Sequence, residues 1–233
     1  MSIKKIALSF TLFLCFSSLF AAKNEPGWVN EPSSVYPKDK YFCAVGYASE
    51  AESAKANALG NLAQNLQSSV LVVTNAEINE QQINGVTDKS SLYNRTIQTV
   101  SSISLSGVEY SEVYFDKKKK LYYCAAYIEN EFLFEQISVK IERPLKLMNS
   151  FLEKAENLEK NGNPFGAYLL LSDAEENSEN FLSYYYILYI ADKKSAFSAY
   201  KNEVTKAYEI SLVKADYLKE CVLNIKTNEI VSR

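Results

Sequence analysis

Histidine is absent from the 233 residues, and glycine occurs only seven times. Without an imidazole no side chain has its ordinary pKa near neutrality, so Ser-His-Asp triads, Cys-His dyads and the common histidine zinc centres are excluded. The glycines at positions 27, 46, 60, 85, 107, 162 and 166 are too scattered for a phosphate-cradling loop of the Walker or dinucleotide type. Cysteine is scarce as well: Cys15, Cys43, Cys124 and Cys221 are widely spaced, which argues against a disulfide scaffold and against a thiolate metal site. Basic residues do not concentrate, since 25 Lys and Arg face 28 Asp and Glu and the single basic run is Lys117 to Lys120. No nucleic-acid partner is expected from such a chain. What is plentiful is core material, with 47% hydrophobic residues and 17 tyrosines, enough for one large domain or two modest ones.

The chain starts Met-Ser-Ile-Lys-Lys, continues in an apolar run from Ile6 to Phe20, and reaches Ala21-Ala22. A basic start, a short apolar core and small residues after it describe a secretory signal peptide over residues 1–22; the rival, a retained anchor, needs a longer apolar segment. Cys15 adds a second alternative, because bacterial lipoproteins are cleaved before a cysteine in this part of the signal. Leu14 stands where that cleavage prefers a small residue, and Leu19 or Phe20 does the same for a plain cleavage after Ala21 or Ala22, so lipidation at Cys15 stays open. Processing takes Lys4 and Lys5 from the 25 basic residues and leaves 23 against 28 acidic ones, a mildly acidic mature chain.

A lead-in with Pro26, Pro32 and Pro37 is expected to be extended. Tyr41 to Tyr47 then alternates as a strand, with Tyr41, Cys43 and Val45 on one face. Ser49 and Glu52 form a capping-box pattern before a helix in which Ala54, Ala58, Leu62 and Leu66 recur every four residues. That alanine face predicts close packing on a sheet or another helix. Val70 to Thr74 fits a strand or the end of this helix; Asn84-Gly85 marks a turn, and Ile97 to Leu105 has no firm period. Gly107 to Phe115 and Leu121 to Ile128 form a hairpin with Asp116 and four lysines at its tip, where solvated charge also discourages pairing with other chains.

From Glu129 the pattern is helical. Pro144 breaks or kinks one segment, and Asn161-Gly162-Asn163-Pro164 stops one helix and starts the next. Phe181 to Ile190 is apolar on nearly every side, the mark of a helix buried in a bundle. The mature chain thus divides near residue 142 into an α+β domain, 23–142, and a helical region, 143–233, built as a hairpin or bundle.

Pro26-Gly27-Trp28-Val29, Tyr36-Pro37, the strand Tyr41 to Tyr47 and the helix from Ala54 to Ala63 together resemble the LPP-twenty lipoprotein family of bacterial envelope proteins. Leu105 to Glu109 followed by Tyr122 to Ile128 is similar to that family's closing hairpin, so the resemblance spans roughly residues 26–130. It implies a small antiparallel sheet packed on one long helix, a dodecin-like or flagellar-protein-like α+β unit, in a protein of the periplasm or outer membrane of a diderm bacterium. It implies no catalytic residue and no cofactor.

Three arrangements invite a chemical reading. Trp28 and Tyr36 form an aromatic ligand platform or pin the lead-in onto the core, and the second is the simpler role. Asp173, Glu175, Glu176 and Glu179 offer carboxylate oxygens to a hard cation but lack the spaced loop and glycine of a calcium site, so a solvated helix end is expected and no metal ligand is assigned. Cys43 and Cys124, each in the middle of a predicted strand, are expected to be buried, reduced and unreactive, whether or not they lie close together. The function expected is that of a non-catalytic envelope protein acting through contacts with unidentified envelope proteins, in a structural or assembly role associated with the surface or the flagellum. The alternative is a binder of peptidoglycan or outer-membrane glycolipid, and an enzyme of unfamiliar type ranks last.

Overall fold

A computed structural model describes residues 25–83, 90–102 and 107–231. The signal segment 1–22, Cys15 and the Asn84-Gly85 turn lie outside the described residues.

The lead-in is wound rather than extended. Helix α1 (Gly27–Asn30) and a 3-10 turn (Pro32–Ser34) follow each other directly, because Pro32 presets a helical φ at the first position and Ser34 Oγ donates to Glu31 O at 2.7 Å. Strand β1 (Tyr41–Ala48) comes next, followed by the long helix α2 (Ala51–Ile83) and by α3 (Ser90–Ser102). The β-branched run Val70 to Thr74 belongs to α2, and Ile97, where the sequence shows no firm period, lies in α3. Strands β2 (Glu109–Tyr110), β3 (Tyr114–Asp116) and β4 (Leu121–Glu129) complete an antiparallel sheet with β4 in its centre, β1 along one side and β2 and β3 along the other.

The register explains a gap in the hairpin. Tyr110 pairs with Ala126 while Tyr114 pairs with Tyr123, so four steps on one strand match three on the other and one extra residue bulges between them. Ser111 holds that bulge: its N–H donates to Ala125 O and its Oγ accepts from Ala125 N, both at 2.9 Å.

Alternation along β1 and β4 gives the sheet two faces. Ala44, Gly46, Cys124 and Ala126 turn toward α2, whose buried positions Ala54, Ala58, Leu62, Leu66, Val70 and Thr74 form one stripe at four-residue spacing. The approach is closest at Gly46, where an added Cβ would stand 2.1 Å from Ala58 N and 2.5 Å from Ala54 O. Asn57 and Asn61, one turn apart on α2, donate their side-chain amides to Tyr47 O and Val45 O of β1 at 3.0 and 2.9 Å.

Helices α4 (Asn130–Lys160), α5 (Pro164–Ala191) and α6 (Lys193–Val231) form the helical region. Pro144 is accommodated inside α4, and residue 142 lies within the same helix. The α4–α5 connection follows its sequence signals, with Gly162 at φ +74 and Asn163 Oδ1 accepting from Gly166 N at 2.9 Å. Phe181, Leu182, Tyr185, Tyr186, Ile187 and Leu188 of α5 are buried. They share one hydrophobic core with Ala54 to Val70 of α2, Leu92 and Val100 of α3, and Ile137, Ile141 and Met148 of α4. Among the described residues no helix is long and apolar enough to cross a membrane.

Candidate functional site

The face of the sheet away from α2 is covered by the lead-in. Trp28, buried to 7% exposure, packs in a second small core with Tyr123 and Ala125, joined by Val29, Tyr36, Cys43, Val45, Tyr114 and Leu121. Tyr36 stacks on Tyr127 with centroids 4.2 Å apart, and Tyr41 meets both rings edge-on at 5.9 and 5.8 Å. Tyr127 donates to Glu109 Oε2 at 2.9 Å. Desolvation, reinforced by that carboxylate, pushes the Tyr127 phenol up to about 12. These rings spend their faces on one another, so Trp28 and Tyr36 pin the arm to the sheet.

The two strand cysteines do not meet. Cys43 pairs with Tyr127 and Cys124 with Gly46, which puts them three rungs apart and on opposite faces. Both are free thiols. Burial raises Cys43 to about 11 and also raises Cys124, which leaves little thiolate at neutral pH.

Three of the four α5 carboxylates face cations from neighbouring helices. Arg95 of α3 approaches Glu179 at 2.9 Å and Glu176 at 3.7 Å and donates to Asn180 Oδ1 at 3.2 Å, while Lys214 of α6 reaches Glu175 at 2.6 Å. Glu179 is 15% exposed, so this is an inter-helix clamp and not a solvated helix end. Sequence reasoning missed Arg95 and Lys214, because each cation lies far along the chain from the carboxylate it meets.

An open groove of about 380 Å³ lies between the helices of the C-terminal region. Leu152, Ala155, Leu171, Ile210 and Val213 form its apolar floor and walls, and Glu153, Glu156, Lys206 and Glu209 stand among them. Val213 is 41% exposed at its edge, and Phe165 and Leu169, one turn apart at the start of α5, are 63% and 51% exposed. A larger cleft of about 810 Å³ opens where the start of α4 meets the α5–α6 elbow, with Lys38, Asn130, Phe134 and Asp192 among its walls. Asp192 is committed to its own turn, accepting from Ser195 N and Oγ at 3.1 and 2.6 Å. Among the described residues no group of histidine, cysteine and carboxylate side chains is placed to hold a metal ion.

No curated protein matches the chain significantly. The crystal structure of the secreted protein HP1454 from the human pathogen Helicobacter pylori is similar at 20% identity and a TM-score of 0.30, over 62% of this chain and 52% of its own. The chain therefore spans about half the length of that protein. Residues 26–127, which hold the arm, β1, α2, α3 and most of the sheet, match the LPP20 lipoprotein family, and this α+β unit is an LPP20 lipoprotein domain.

Proposed function

We propose that the chain is an exported cell-envelope protein that works without catalysis, through protein contacts made by its helical region α4–α6. The signal-type segment and the LPP20 lipoprotein domain support export. The observation that carries the contact role is the groove of Leu152, Ala155, Leu171, Ile210 and Val213 with charged residues around it. An apolar centre inside a polar rim is the anatomy of protein interfaces, and its shape accepts a helix or an apolar side chain of a partner. Tyr36, Tyr41 and Tyr127 pack their rings on one another, which disfavours the arm side of the sheet as a sugar platform.

The test is a photo-crosslinking residue placed at Val213 in intact cells. It is expected to capture an envelope protein, and a Glu153→Lys, Glu156→Lys change on the rim is expected to abolish that capture while the thermal midpoint holds. Capture from Tyr47 but not from Val213 would move the contact to the sheet and overturn the proposal. Retention of the purified protein on sacculi, unaffected by the rim change, would favour the peptidoglycan alternative instead.

A further inference from the structure

We infer that the β3–β4 hairpin tip, Lys117 to Lys120, is a docking point for an anionic phospholipid surface. Four consecutive lysines occupy the turn between Asp116 and Leu121, and all four are exposed. The acidic residue at the base of the turn does not cancel them. Asp116 Oδ1 accepts from the backbone N–H groups of Lys118 and Lys119 at 2.8 and 3.1 Å, and its other oxygen lies 3.6 Å from Lys119 Nζ. Lys119 also lies 5.5 Å from the centroid of the Tyr123 ring. Lys117, Lys118 and Lys120 make no ion pair among the described residues, so three ammonium groups project from a turn whose backbone Asp116 ties by two hydrogen bonds.

Behind the tip each face of the sheet presents an aromatic ring. Phe115, 41% exposed, packs 4.6 Å from Tyr122 on the α2 side, and Tyr47, 59% exposed, lies 5.7 Å from Tyr123 on the other. Exposed lysines and exposed rings side by side offer the two contacts that a bilayer surface provides, phosphate for the cations and an interfacial zone for aromatic rings. Four exposed lysines on one short turn complement a broad anionic plane. Its place in the molecule agrees. Trp28 packs against Tyr123 in the core that includes Tyr114 and Leu121, and Glu25 is near enough to act on both Tyr114 and Lys119. The N-terminal arm therefore starts at the same end as the lysines.

The full-length mature chain is to be sedimented with vesicles of phosphatidylcholine alone and of phosphatidylcholine with about one-third phosphatidylglycerol, at low and high salt. Binding is expected to the anionic vesicles only and to fall steeply with salt. The variant Lys117→Gln, Lys118→Gln, Lys120→Asn, with asparagine chosen because Lys120 has φ +57, is expected to weaken it by about tenfold or more. Phe115→Ser is expected to weaken it by about threefold. Glu153→Lys, Glu156→Lys on the helical groove is expected to leave vesicle binding in place, which separates this surface from the protein contact proposed above. Equal binding to neutral vesicles, binding untouched by the lysine variant, or no binding to anionic vesicles would each overturn the inference. So would an equally lysine-dependent affinity for polyglutamate, which would make an acidic polymer the partner.

Discussion

The two regions of the molecule solve the packing problem with opposite materials. Where α2 crosses the sheet at Gly46, with Ala44, Ala54, Ala58 and Ala126 around it, backbone approaches backbone and no side chain there can give way. The helical region is filled by Phe181, Tyr185, Tyr186, Met148 and Ile187, large groups with several rotamers, tied across helices by the Arg95 clamp and by a buried hydrogen bond between the hydroxyls of Tyr186 and Tyr208. The lesson is one of tolerance. The small-residue contact should resist any added atom, and the large-residue core should resist loss of volume.

Removing volume from the helical core should have the largest effect: Phe181→Ala is expected to cost about 3 to 5 kcal/mol, read as a drop in the urea midpoint. Adding a single methyl at the crossing should come close behind. Gly46→Ala drives a Cβ into the α2 backbone, for which we expect about 3 kcal/mol in the same measurement. An unchanged midpoint for Gly46→Ala would break the comparison outright. Ala58→Leu asks the same question from the helix side, where the residue is fully buried, and should cost about 1 to 3 kcal/mol.

The smallest effect at neutral pH is reserved for the buried phenols. Desolvation pushes Tyr185 up to about 12 and, with the Tyr208 hydroxyl, holds Tyr186 well above the ordinary tyrosine range. In the unfolded chain both ionise near pH 10, so their contribution is whole below that value and is lost as pH rises through the folded pKa values. Stability should therefore decline above about pH 10, and Tyr186→Phe should flatten that decline while costing about 1 kcal/mol at pH 7 through the lost hydrogen bond to Tyr208. Urea midpoints across this range, with tyrosinate absorbance as a second readout, decide it.

The parts legible in the sequence were those whose period survives in the side chains. Tyr41 to Tyr47 alternates and is β1; Ala54 to Leu66 repeats every four residues and is the start of α2. The illegible parts failed for a definable reason. Thr74 looks like strand material, yet it continues the stripe through Val70 and donates its hydroxyl to Val70 O at 2.9 Å. Thr96 does the same with Leu92 O at 2.8 Å in α3, where serines and threonines hid the helical period. A hydroxyl that bonds back to the preceding turn behaves as a buried residue while counting as a polar one. The Ser111 bulge and the Arg95 clamp depend on partners distant in sequence, so no local pattern announced them. Of the candidate site, the arm's role was readable from Trp28 and Tyr36, but the groove between Leu152 and Val213 exists only once the helices are assembled.

The amides of Asn57 and Asn61 carry a consequence for the protein in a crowd. A bare outer strand is a template on which a second chain can add its own strand, and repetition of that step is how ordered aggregates grow. Here the helix that packs on the sheet also engages the strand's carbonyls at Val45 and Tyr47, so an incoming chain must first displace two intramolecular hydrogen bonds. The protein carries its own inhibitor of templated growth, and because that inhibitor belongs to the same helix as the Ala54 and Ala58 contact, loosening the crossing at Gly46 would unmask the strand and turn a loss of stability into a gain of self-association.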